Sequence, residues 1–198
     1  MKKRGVRVSK TLLKAQLLSL LALVLAGIAI IVVVMHLPGS PWAKVWEFIK
    51  INNQNPAVFF SDYYQNLEAQ TNQQDWLIFS PISFLVGGLV FGAVLTGRQK
   101  PAYIAKSGAI TGIIWSALSL VLSTLGPVAE ANNANQYGYH LPQFELSWRV
   151  AAMGVLQTVY WTVFFVIGSQ VAFFAKQTSV KPGVGNRTPP TIPAASNE

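Results

Sequence analysis

The sequence predicts an all-α integral membrane protein: a four-helix transmembrane bundle with a short amphipathic interfacial helix in its first outer loop. Three observations lead there. Of 198 residues, 52% are hydrophobic and 11% charged, where soluble domains carry roughly 25% charged residues. Four stretches are apolar for about the 20 residues a helix needs to cross ~30 Å of hydrocarbon. Basic residues gather on one side of those stretches. The positive mean hydropathy of +0.39 argues against a soluble enzyme, a disordered regulator and a fibrous protein. One compact unit is expected at this length.

The spans are expected at about 17–37, 76–95, 104–125 and 150–174. Together they make a transmembrane domain over 17–176, preceded by a basic cytoplasmic segment, 1–16, and followed by a tail, 177–198. The first span has the basic start of a signal peptide, Lys2-Lys3-Arg4. Its apolar run is longer than a signal peptide's core, and no A-x-A cleavage site follows. Leu25-Ala26-Gly27 resembles a lipoprotein cleavage box, but Ile28 stands where cysteine is required. The segment therefore reads as a retained helix.

Orientation follows from the flanks. Lys2, Lys3, Arg4, Arg7, Lys10 and Lys14 precede the first span; Arg98, Lys100 and Lys106 join the second to the third; Lys176, Lys181 and Arg187 follow the fourth. Only Lys44, Lys50 and Arg149 fall on the other side. The basic side is cytoplasmic by the positive-inside rule, which puts both termini there and makes the plasma (inner) membrane the expected location. The net charge of +8 is then a topology signal. No basic patch interleaved with aromatics occurs on a folded element, so nucleic acid is not an expected partner. The lipid bilayer is.

The first outer loop, about 38–75, opens with Ser40-Pro41, an N-cap followed by proline at the first helical position. Trp42, Val45, Trp46 and Ile49 then share a face, so an amphipathic helix at the membrane surface is expected. Asn55-Pro56 repeats the start signal, with Phe59, Tyr63 and Leu67 at steps of four. These aromatics, with Trp76 and Trp148, suit a belt at the headgroup level; a docking surface for a partner is the sharper reading. Asn52 to Asn55, Gln70 and Asn72 to Gln74 suggest flexible, solvated connections, as do the amides at 132–136 in the second outer loop.

No Asp, Glu, Lys or Arg lies near the middle of a span, which counts against proton-coupled transport. Small residues form stripes instead. The first span has Ala15, Ser19, Ala22, Ala26 and Ala29; the fourth has Ala151, Gly154, Thr158 and Thr162. Gly88 and Gly92 form one G-x-x-x-G in the second span, and Gly108 and Gly112 another in the third, where Ser116 continues the stripe. Small residues let helix backbones approach in lipid. The tight link 97–101 makes the second and third spans antiparallel neighbours whose glycine faces are expected to meet. Gln157 and Tyr160 are polar and deep in the fourth span; they line a small cavity or bond across to Ser116 and Ser119. Pro81 is expected at the outer start of the second span, and Gly126-Pro127 at the end of the third.

Catalytic motifs are missing. There is no phosphate-binding G-x-x-x-x-G-K-[ST], no G-x-S-x-G and no H-E-x-x-H. The absence of cysteine removes disulfides and thiolate sites. Glu130, His140 and Glu145 have no compact metal-ligand spacing; Glu145 and Arg149 read as an i, i+4 surface pair. The tail, with four prolines and few apolar residues, reads as disordered, and the sequon Asn186-Arg187-Thr188 is inert if cytoplasmic. No cofactor and no enzymatic activity are expected. The expected function is an accessory subunit, scaffold or assembly factor of a membrane complex, partnered by other membrane subunits or by itself. A small oligomeric transporter or channel for an uncharged or apolar solute is the alternative.

Overall fold

The computed structural model describes residues 2–52, 55, 58, 60–95, 99–136 and 148–179. The described residues are almost all helical, with no strand, and four helices are long and apolar enough to cross a membrane. In chain order the helices are α1 (Lys2–Met35), α2 (Pro41–Asn52), α3 (Asp62–Gln74), α4 (Ser80–Leu95), α5 (Pro101–Gln136) and α6 (Trp148–Ser179). A π-helical turn, Asp75–Phe79, joins α3 to α4 without breaking the helix. The spans belong to α1, α4, α5 and α6.

Three boundaries differ from the sequence expectation. The segment 2–16 is helical and continuous with the first span, because its Lys, Arg, Leu and Ala are good helix formers. The amide-rich stretch 70–74 is helical too, as the last part of α3. Thus 62–95 forms one rod of about 50 Å, of which 76–95 matches the hydrocarbon thickness. Finally, α5 runs on past Gly126-Pro127 to Gln136. Proline within a helix removes one hydrogen bond and adds a clash, and here it does not end the helix.

The loop that follows α1 is built as its residues require. Gly39 turns the chain at φ +77°, a left-handed conformation that glycine takes without strain. Ser40 Oγ accepts from the Ala43 N–H at 3.0 Å and donates to Val34 O at 2.7 Å, so it caps α2 and ties it to α1. Helix α3 is capped by Ser61, whose Oγ accepts from Tyr64 N at 3.4 Å. Asp62 lies in the first turn, where a carboxylate suits the helix dipole.

The helix expected at the surface, α2, is present, and one edge of its apolar face is covered by protein. Val45 and Phe48 are buried. The Phe48 ring lies 5.8 Å from Tyr63 and 5.4 Å from Tyr64 of α3. Phe48 lies beside the face that the sequence assigns to the membrane surface, and Trp46 on that face is exposed, with Lys50 Nζ 5.2 Å from its ring.

The spans form a ring in the order α1, α4, α6, α5. The α4–α6 contact is the most extensive, α1 packs on α4, and α5 packs on α6. The expected meeting of the second and third spans is overturned: α4 touches α5 only slightly. Both glycine faces turn to α6. The ring closes between α1 and α5 through side chains: Gln16 Nε2 donates to Thr111 Oγ1 at 3.2 Å, and Trp115 Nε1 to Ser19 Oγ at 3.3 Å. Its centre is filled by Phe84, Phe91, Phe165, Phe173 and Ile104, all at most 1% exposed.

Candidate functional site

The α4–α6 seam sets the geometry of everything above it. A Cβ on Gly88 would strike the carbonyl oxygen of Phe165, and one on Gly92 that of Ser169. A Cβ on Gly168 would strike the carbonyl of Leu85 in return. Partner numbers rise together, from Gly88 with Phe165 to Gly92 with Ser169, so the two helices run parallel. The glycine Cα–H groups face those carbonyls, a contact that recurs at helix interfaces. The neighbouring Gly87 serves α1: its Cβ would lie 3.1 Å from Ser19 O.

The second G-x-x-x-G meets α6 more loosely. A Cβ on Gly108 would lie 3.0 Å from Ser169 Oγ, and one on Gly112 would lie 3.1 Å from Thr162 Cγ2. Those are side-chain atoms. Ser116 is fully buried and shares a hydrogen bond with Thr162 at 3.4 Å.

Toward the loop end, the π turn and Pro81 expose the backbone of α4. Ser80 N–H bonds to Asp75 O, five residues back. Pro81 has no N–H, so it offers none to Leu77 O, its i−4 carbonyl, nor to Trp76 O in the π register. Two side chains of α6 take those places. Tyr160 Oη donates to Leu77 O at 3.3 Å, and Trp161 Nε1 donates to Trp76 O at 3.4 Å. Stacking reinforces both: Trp76 on Tyr160 at 5.9 Å and Phe84 on Trp161 at 5.2 Å. Pro81 therefore sits inside a continuous helix, not at its start, and the rod tolerates it because a neighbouring helix supplies the donors. Tyr160 reaches the π turn before α4 rather than Ser116 or Ser119.

Beside this junction lies a polar cleft of about 520 Å³. Glu68, Asn72, Asp75 and Trp76 form one wall. Ser119 and Ser123 of α5 face it, and Met153, Gln157 and Trp161 of α6 complete it. Glu68, Asn72 and Asp75 follow at i, i+4 and i+7, hence on one face. Both carboxyls lie outward of the apolar stretch 76–95. Burial raises the pKa of Glu68, and lifts that of Asp75 from 3.8 to about 6. Withdrawal from water disfavours the charged form. Arg149 is placed only as backbone of α6; among the residues whose side chains are described, no Lys, Arg or His lines the cleft. No group of three or more metal-binding side chains occurs among them either.

The structure thus assembles Gln157 and Trp161 of the fourth span with two residues that the sequence does not single out, Glu68 and Asp75. The signal for the acids was their helical spacing, hidden because 70–74 read as a flexible connection. The interface aromatics have separate fates. Trp42 is half-buried, Tyr63 is exposed on α3, and Trp76 belongs to the cleft. Trp148 is the first residue of α6. Phe59, His140, Glu145 and the tail beyond 179 lie outside the described residues, and Glu130 is placed only as backbone of α5. Comparison with protein families, curated proteins and solved structures finds no match to this chain.

Proposed function

We propose that the protein is a non-catalytic accessory subunit, scaffold or assembly factor of a membrane complex. It sits in the plasma (inner) membrane with both termini cytoplasmic. The observation that carries this reading is the closed centre of the ring. Where α4 and α6 meet, backbone touches backbone, and buried phenylalanines fill the space beside them. Such packing favours a rigid, non-conducting unit. The faces turned away from it are broad and apolar: Leu17, Leu21 and Leu25 on α1, Ile110, Ile113 and Leu118 on α5, all at least 40% exposed. They suit lipid and partner helices alike. The orientation rests on the excess of basic residues in the terminal flanks and the 97–101 link.

The test is the native size and composition of the complex after gentle extraction from its own membrane through a C-terminal tag. Stoichiometric foreign subunits are expected. A homo-oligomer or monomer that supports solute flux in liposomes would overturn the reading. The transport alternative draws on one observation, the polar cleft at the loop end. A C-terminal epitope reached only from outside the cell would reverse the proposed orientation.

A further inference from the structure

The cleft beside the α3–α4 junction is unlike the rest of the bundle. It is concave, it mixes acidic, amide and hydroxyl side chains with Trp76, Met153 and Trp161, and its volume suits a small ligand. Its wall on α3 and the π turn carries two carboxylates, Glu68 and Asp75, and no cation among the residues whose side chains are described. Seven residues separate Glu68 from Asp75, a rise of about 10 Å along the helix. Ligand distances of about 2.0–2.6 Å make that spacing poor for one bare metal ion held by both. It suits an extended ligand with positive charge at each end. Between the two acids lies the Asn72 amide, and across from them the thioether of Met153 and the ring of Trp161, an amide-and-apolar strip matched to a methylene chain.

The chain as a whole carries a charge of +8, so a cation is drawn to this cleft by local groups and not by the general field. Partial burial of both carboxyls reduces the solvent screening of a paired ammonium, and desolvation of the two ions offsets part of that gain. The junction is also held in place. Trp161 Nε1 and Tyr160 Oη fasten the backbone at Trp76 and Leu77, which fixes Asp75 relative to α6.

We propose that this cleft binds a linear aliphatic di- or polyamine, with one ammonium group at Glu68 and another at Asp75. The site is independent of the accessory-subunit reading and stands or falls by its own test. The full-length protein, in nanodiscs of phosphatidylcholine, is titrated with spermidine, putrescine and butylamine by calorimetry and by tryptophan fluorescence, with Trp76 and Trp161 as reporters. One saturable site is expected, with spermidine bound roughly tenfold or more tighter than butylamine. Glu68→Gln and Asp75→Asn should each remove that preference, while Glu47→Gln on the exposed side of α2 leaves it intact. Glu68 lies on the cleft's outer part, so E68Q keeps the test open if D75N fails to fold; unchanged elution on gel filtration checks each variant. Equal affinity for the mono- and polyamines, an unchanged E68Q, or the absence of saturable binding would overturn the site. So would calcium binding that the amines do not displace.

Discussion

Two glycine pairs of identical spacing serve the same helix in different ways. Gly88 and Gly92 bring α4 against α6 in parallel, backbone to backbone. Gly108 and Gly112 bring α5 against α6 antiparallel, and there the glycines meet the side chains of Ser169 and Thr162. A G-x-x-x-G motif marks a helix face that admits close approach. It does not say how close, in which direction, or to which partner. The difference lies with α6. Gly168 lets the α4 side close completely, while Thr162 and Ser169 hold the α5 side a side chain apart.

Alanine at Gly88 should break the comparison most severely. Its Cβ would lie 2.8 Å from the Phe165 carbonyl carbon and 3.0 Å from its Cα. Backbone atoms cannot rotate away, so the helices must separate. A loss of about 3 kcal/mol, the upper part of the overpacking range, is expected on unfolding in mixed micelles. In Gly112→Ala the tight contact is Thr162 Cγ2 at 3.1 Å, with Phe165 Cβ and Thr162 Cα at an ordinary 3.4 Å, and about 1 kcal/mol is expected. Equal losses in G88A and G112A would show that the two seams are equivalent and that the distinction is wrong.

Tyr160→Phe sharpens the account at the loop end of the same seam. It keeps the stacking on Trp76 and removes the donor to Leu77 O. Interhelical hydrogen bonds of this kind average ~0.6 kcal/mol in membranes, and a loss of that size is expected. No loss would mean that the carbonyl below Pro81 finds another donor. A separate effect is on pH dependence. Asp75 holds its proton more tightly when folded, at about 6 against an ordinary 3.8. Stability through this group is therefore greatest below the unfolded value and falls as pH rises through 6. Melting curves between pH 4 and 7 should show that slope as a modest trend, reduced in Asp75→Asn.

Much of the architecture was legible in the chain. Four apolar runs, their charged flanks and the Ser40-Pro41 start signal are local properties, and local properties are what periodicity and composition report. The extents of the helices were less so. Thr71 and Asn72 are weak helix formers while the glutamines around them are good ones, and contact holds the helix as well: Leu67 and Thr71 are buried, and Phe48 of α2 packs on Tyr64 nearby. Pro81 read as a helix start because its missing N–H is harmless there. Only the presence of Tyr160 and Trp161 opposite allows it to lie inside.

Four membrane-length apolar helices, small residues along their faces and polar groups at the loop end are all written in the amino-acid order. Each follows from residue type and spacing, because hydrophobic length and helical period act within one segment. Tertiary structure alone decided which faces meet. A short link between the second and third spans constrains where one ends and the other begins, yet it supplies no packing energy. The parallel approach of α4 and α6 does, through contacts between residues some 77 positions apart, Gly88 with Phe165. That same pairing brings α6 beside the acidic face of α3 and so creates a cleft whose residues are scattered from Glu68 to Trp161.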